Sequence, residues 1–150
     1  MDDFIQTFDG EAYYFQRPTA DMISIENIAH TLSLLCRFGG HVREFYSVAQ
    51  HSVLCSMQAP DEFKFEALLH DSSEAYLVDI PRPIKRALPQ YMELESKAEK
   101  AISEHFGIPH PMSKEVKEVD NRMLFTEARD LMNPTKVKWI DQGKPYDFHI

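Results

Sequence analysis

Cysteine is scarce. Cys36 and Cys55 are the only two in 150 residues, too few for the disulfide framework of a small secreted domain. Both fall in segments that read as helix, where a thiol is ordinary core material. Long apolar runs are missing too: nothing approaches the roughly 18 residues of a membrane span. The first ten residues, MDDFIQTFDG, lack the basic region of a signal peptide. A cytoplasmic protein is expected, in the host cytoplasm if it is phage-encoded. Basic charge is in deficit, with 16 Lys and Arg against 24 Asp and Glu, for a net charge of -8 with neutral histidine. That balance argues against a nucleic-acid polymer as partner, since such binding neutralises phosphates with a basic surface. A phosphate ligand would need a local cationic pocket set against the global field. Repeats, low-complexity tracts and linkers are absent as well.

What remains is a globular composition, 43% apolar and 27% charged. Residues 1–150 fit one domain, large enough to bury about two-thirds of its extended-chain surface. The apolar period is helical almost throughout. Ser24 caps a first helix from Ile25 to about Cys36, with Ile25, Ile28, Ala29, Leu32, Leu35 and Cys36 on one stripe and Gly39 and Gly40 ending it. Ser47 and Gln50 form a capping box for a second helix, Val48 to about Met57. Pro60 suits the first position of a third, which carries Ala67, Leu68 and Leu69 and ends at His70 and Asp71. The segment DIPRPIK is expected to be a stiff non-helical connector, because Pro81 and Pro83 each remove a donor. Two long amphipathic helices follow, from about Pro89 to Phe106, stopped by Gly107, and from about Lys114 to Met132, stopped before Pro134. The last 16 residues read as an irregular tail held by Trp139, Tyr146 and Phe148. Apart from a short strand pair near EAYYFQ, the fold is expected to be all-α, a bundle of about five to seven helices.

Four polar residues interrupt faces that should be buried. His51 lies between Val48 and Cys55 at helical spacing, His70 and Asp71 follow an apolar triplet, and Asp120 lies between Val116 and Leu124. Each alone is more often a hydrogen-bonded core residue or a surface charge. Together, two carboxylates and two imidazoles suit a shared first-row divalent cation, since a buried unpaired carboxylate is expensive. Such an ion lowers the pKa of bound water and offsets charge on an attacked phosphoryl group. Glu74 lies one turn beyond His70, and Asp79 opens the connector.

At these residues the chain resembles the HD-domain phosphohydrolases, whose hallmark is a His on one helix, a His-Asp pair on the next and an Asp on a later one. Here these are SVAQHS, LLHDSSE and EVDN. The likeness runs from about Ile25 to Leu131. It looks closest to the small bacterial and phage branch of 5'-deoxynucleotidases and phage dATP triphosphohydrolases. That branch's pattern HD..E....D.P.P.K is met by His70, Asp71, Glu74, Asp79, Pro81, Pro83 and Lys85.

The resemblance implies that His51, His70, Asp71 and Asp120 hold a divalent metal (Zn, Mn, Co or Mg), with room for a second ion. Glu74 would orient or deprotonate the attacking water. Asp79 would position that water or the sugar hydroxyl, although a turn residue before a proline needs no such role. Arg37 would clamp phosphate bidentately, and Phe38 would stack on a base or simply pack. Lys85 would contact phosphate oxygens. Lys117 fits either a pocket contact or an ion pair, while Arg82 and Arg86 read as solubilising surface. The function implied is hydrolysis of a deoxynucleoside phosphate by a homo-oligomer. The leading version is a dATP triphosphohydrolase releasing deoxynucleoside and tripolyphosphate. A 5'-deoxynucleotidase acting on dNMPs is the alternative, and a metal- and nucleotide-binding sensor that turns nothing over is a second.

Overall fold

Ser24 and Ser47 open the first two helices. In the computed structural model, which describes residues 2–150, the Ser24 hydroxyl accepts from the Asn27 amide and starts α1, Ile25–Leu34. Ser47 and Gln50 make both bonds of a capping box at the head of α2, Val48–Gln58. The remaining helices are α3 Lys64–Leu69, α4 Glu74–Leu77, α5 Arg82–Lys85, α6 Pro89–Phe106 and α7 Lys114–Leu131. β1, Ile5–Gln6, pairs antiparallel with β2, Ala12–Tyr13. The fold is all-α, and among the described residues no helix is long and apolar enough to cross a membrane.

Three expectations need correction. Pro60 is not the first residue of the third helix: it precedes a 3₁₀ turn, Asp61–Phe63, and α3 begins at Lys64. α1 stops at Leu34, two residues before Cys36, because the chain beyond it finds partners across the fold. Leu35 turns extended, its carbonyl accepts from the Val48 amide, and Cys36 bridges antiparallel to Ser47. Ile25 is consequently half exposed rather than on the core stripe. The glycines belong instead to a separate 3₁₀ turn, Arg37–Gly40, where Phe38 takes a left-handed φ of 56°. The proline connector is also not devoid of helix. Arg82–Lys85 makes one α-turn with Pro83 in its first turn, where a missing N–H loses no intrahelical bond.

α2 is the hub, packing against α1, α3 and α7. On one side Ile28, Leu32 and Val48 join Tyr13, Tyr76, Ala98 and Ile102 in a core under β2 and α6. On the other, Cys55 and Ala67 pack with Val116, Val119 and Met123 of α7, and tail residues Tyr146 and Phe148 cover them. The expected aromatic anchoring of the tail is present: Trp139 sits 5.8 Å from Phe125, and Arg122 lies 3.9 Å over the Tyr146 ring. Gly143 lets the tail cross close over α7: a Cβ there would lie 2.2 Å from the Phe125 ring and would have to displace it.

α7 is held at both ends by side chains from elsewhere. At its head, buried Glu66 of α3 accepts from the Ser113 amide at 2.7 Å and the Ser113 hydroxyl at 2.6 Å. At its foot, Arg43 donates from its amide to Leu131 O and from its guanidinium to the carbonyls of Asp130 and Met132. An anion at the head and a cation at the foot both complement the helix dipole.

Candidate metal centre

α2, the end of α3 and α7 meet at a cluster of imidazoles and carboxylates. His51, fully buried on α2, points Nε2 at the Nε2 of His70, 3.1 Å away at the foot of α3. Asp71 Oδ2 lies 3.4 Å from the first of these nitrogens and 3.3 Å from the second. Asp120 Oδ1, from α7, lies 3.3 and 3.7 Å from them. The structure thus brings together His51, His70, Asp71 and Asp120. Adjacent ligands on an ion with bonds of about 2.1 Å stand about 3.0 Å apart in an octahedron and about 3.4 Å in a tetrahedron. Four of the five observed spacings fall in that range, and the 3.7 Å between His70 and Asp120 lies just beyond it.

The tautomers follow from the partners. His70 Nδ1 is 2.6 Å from the Ala67 carbonyl, which only accepts, so Nδ1 carries the proton and Nε2 the lone pair. His51 Nδ1 is 2.6 Å from Glu127 Oε1 on α7, with the same consequence. Two lone pairs and two carboxylate oxygens therefore face one another with no donor of their own. Only a cation or added protons can satisfy four acceptors so placed. Protons answer the same demand. Burial alone would depress both imidazoles, but the carboxylates outweigh it: Glu127 and Asp120 raise His51 well above the usual range, and Asp71 and Asp120 raise His70. Asp120 moves in the opposite sense. Burial disfavours its charge, yet hydrogen bonds from His51 and His70 in their doubly protonated forms hold it well below the carboxylate range.

Buried His51, Cys55 and His70 present ligand atoms within 4.8 Å of one another, a group that can hold a metal ion. The sequence favours a core thiol at Cys55 over a metal role, and its sulfur is the outlying member of the group. It is 3.5 Å from Nε2 of His51 and 3.8 Å from Nδ1, so it rests against the ring rather than along the lone pair. Burial also raises its pKa and keeps it a thiol.

Glu74 opens α4, buried, with Oε2 lacking any hydrogen-bond partner. Burial first, then the fields of Asp71 and Asp79, raise it well above the usual carboxylate range. Burial likewise raises Asp79, against the pull of Arg37. Asp79 follows Val78, whose φ of 66° and ψ of 161° fall in a region essentially reserved for glycine. That conformation costs about 1–3 kcal/mol, a strain typical of functional segments.

The cations are less free than the sequence implied. Arg37 is buried, and Nε and Nη2 both bond Glu127 Oε2, at 3.0 and 2.8 Å; only Nη1 turns toward Asp71, 3.6 Å away. Its bidentate edge is therefore taken by protein. Phe38 lies beside it, 5.3 Å from the guanidinium. Lys85 pairs with Glu95. Lys117 is exposed and among the described residues makes no hydrogen bond or ion pair with the cluster. Arg82, expected as plain surface, instead donates to Asp120 Oδ2 at 2.6 Å and to Asn121. Arg86 pairs with Asp141. Glu127 and Tyr46 were not anticipated at all. Glu127 lies seven residues beyond Asp120, on the same helix face, so the stripe argument that found Asp120 extends to it. Tyr46, in the loop before α2, left no periodic signal.

No family model matches the chain. The uncharacterized protein YfdR of Escherichia coli (strain K12) is 53% identical over 128 residues, spanning 85% of this chain and 72% of that protein. This chain belongs to the YfdR family. A further relative, the uncharacterized protein RCAP_rcc00048 of Rhodobacter capsulatus, is 32% identical over 128 residues, covering 76% of this chain and 65% of its own length.

Proposed function

We propose that this protein is a divalent-metal-dependent phosphohydrolase of the HD class acting on deoxynucleoside phosphates. The observation that carries this reading is the convergence of two Nε2 lone pairs and two carboxylate oxygens, 3.1–3.7 Å apart, with both Nδ1 protons already committed. A divalent ion held by His51, His70, Asp71 and Asp120 supplies activation of water and offsets charge on the phosphoryl group. Asp71 and Asp120 balance a double positive charge at the site. Glu74, buried and with a free oxygen, accepts the proton of the attacking water. Asp79 accepts from the sugar hydroxyl. Arg37 presents Nη1, the one nitrogen of its guanidinium not bonded to Glu127, to a phosphate oxygen.

Between the two substrate versions, the 5'-deoxynucleoside monophosphate is better supported than dATP. A triphosphate chain needs a row of free cations, whereas Arg37 and Lys85 are engaged by Glu127 and Glu95, and Lys117 stands apart. The test is a panel of dNMPs, dNTPs and NTPs with Mn, Co, Zn or Mg, products separated by chromatography. Orthophosphate and deoxynucleoside from dNMPs are expected. Tripolyphosphate from dATP would restore the triphosphate version, and tight nucleotide binding without any product would leave a sensor. Within the active protein, Glu74→Ala is expected to lower kcat by about 10²–10⁴ with metal content unchanged. Asp71→Ala is expected to lose metal and activity together.

A further inference from the structure

Glu127 is fully buried on α7, and a carboxylate in such a place is costly unless its oxygens are bonded. Here both are. Oε1 accepts from His51 Nδ1 at 2.6 Å and from the Tyr46 hydroxyl at 2.9 Å; Oε2 accepts from Arg37 Nε at 3.0 Å and Nη2 at 2.8 Å. Three donor residues, from α2 and from the loop that precedes it, thus converge on one side chain, filling the four acceptor positions of a carboxylate. A stabilising core pair would be complete with Arg37 alone. The bond to His51 does something else.

We propose that Glu127 is the positioning residue of the metal centre, fixing His51 with its proton on Nδ1 and aiming its Nε2 lone pair at the space shared with His70, Asp71 and Asp120. This rests on the metal-site reading above. The same carboxylate grips Arg37 by two nitrogens and so turns Nη1 toward Asp71. One side chain therefore sets the orientation of a metal ligand and of the guanidinium beside Asp71. Outer partners of ligating histidines commonly govern metal affinity by about 10–100-fold.

The isosteric change Glu127→Gln discriminates. An amide has one accepting atom and one donating group. If its NH₂ meets His51, that ring must put its lone pair on Nδ1 and its proton on Nε2, which cannot then ligate. If its NH₂ meets Arg37, donors face donors. Mn²⁺ binding to the purified full chain by calorimetry, with folding monitored by circular dichroism, is the assay. Long-range proton–nitrogen NMR of the Zn²⁺-loaded protein reports the His51 tautomer directly. Glu127→Gln is expected to weaken Mn²⁺ about 10–100-fold. Glu127→Asp, which keeps the charge but withdraws it by one methylene, should fall between. Tyr46→Phe removes a donor without touching the His51 bond and should bind like wild type. Wild-type Mn²⁺ affinity in a folded Glu127→Gln or Glu127→Asp protein would overturn the proposal, as would a His51 proton on Nε2 in the wild-type Zn²⁺ form. If Glu127→Gln does not fold, Glu127→Asp alone decides. Failure of the wild-type chain to bind any divalent ion would instead sink the metal-site reading on which the proposal stands.

Discussion

Replacing Cys55 by alanine separates a thiol that packs from a thiol that ligates. The change deletes one buried sulfur beside His51 and disturbs nothing hydrogen-bonded to the backbone. A cavity about the size of a methyl group is left, so the stability cost should resemble an Ile→Val change, about 0.5–1.5 kcal/mol. The position of the sulfur, 3.5 and 3.8 Å from the two ring nitrogens, places it beside the ring rather than along the lone pair. Metal affinity should therefore stay within about tenfold of wild type, below the losses typical of outer-shell changes at metal sites. The assay is Co²⁺ loading, followed by near-ultraviolet absorption and calorimetry, with urea denaturation of the metal-free protein for the packing cost. A thiolate bound to cobalt gives a charge-transfer band that carboxylate and imidazole ligands do not. Such a band in wild type, lost in Cys55→Ala together with more than about a hundredfold of affinity, would refute the reasoning and make Cys55 a ligand.

Glu66→Ala removes both bonds to Ser113 at the head of α7 and should destabilise the fold by about 2–3 kcal/mol, with Glu66→Gln costing less; a urea-midpoint shift worth under about 0.5 kcal/mol would remove the cap from the account. Glu99 should titrate high: burial, then Glu95, push its carboxyl from 4.5 up to about 7, against Lys85 and Lys117. A carboxyl with a raised folded-state pKa holds its proton longer in the native protein, so its contribution to stability falls as pH rises from about 4.5 through about 7. Glu99→Gln should flatten urea midpoints across that window, and parallel pH profiles for the two proteins would contradict the assignment. Gly143→Ala must displace the Phe125 ring, and overpacking of this kind costs about 1–3 kcal/mol. Faster proteolysis of residues 139–150 would report the loosened tail, whereas an unchanged rate would show that Phe125 has room to yield.

The helical frame was legible because its signals are local. The Ser47 capping box, Gly107 after α6 and the stripes of α2 and α7 are each written within a few residues, and each forms as the pattern indicates. His51, His70, Asp71 and Asp120 stood out because a polar residue on an apolar stripe is visible in one dimension. Pairings were not. Arg82 reads as surface until the connector folds it onto Asp120, and Arg37 reads as a free phosphate clamp until α7 delivers Glu127 to it, 90 residues away in sequence. The early end of α1 has the same origin, since Leu35 and Cys36 leave the helix for partners around Ser47 that no window of neighbouring residues contains.

The grips on α7 carry a consequence for how this chain can change length. Glu66 fastens one end and Arg43 the other, with Asp120 and Glu127 between them. Each residue of an α-helix advances 1.5 Å and turns about 100°. A residue inserted between Asp120 and Glu127 would swing one of them off the face it now shares with the other, and the fastened ends would keep the helix from sliding to compensate. α7 therefore behaves as a gauge of fixed length, tolerant of exchanged side chains on its outer face and intolerant of a single added or deleted position.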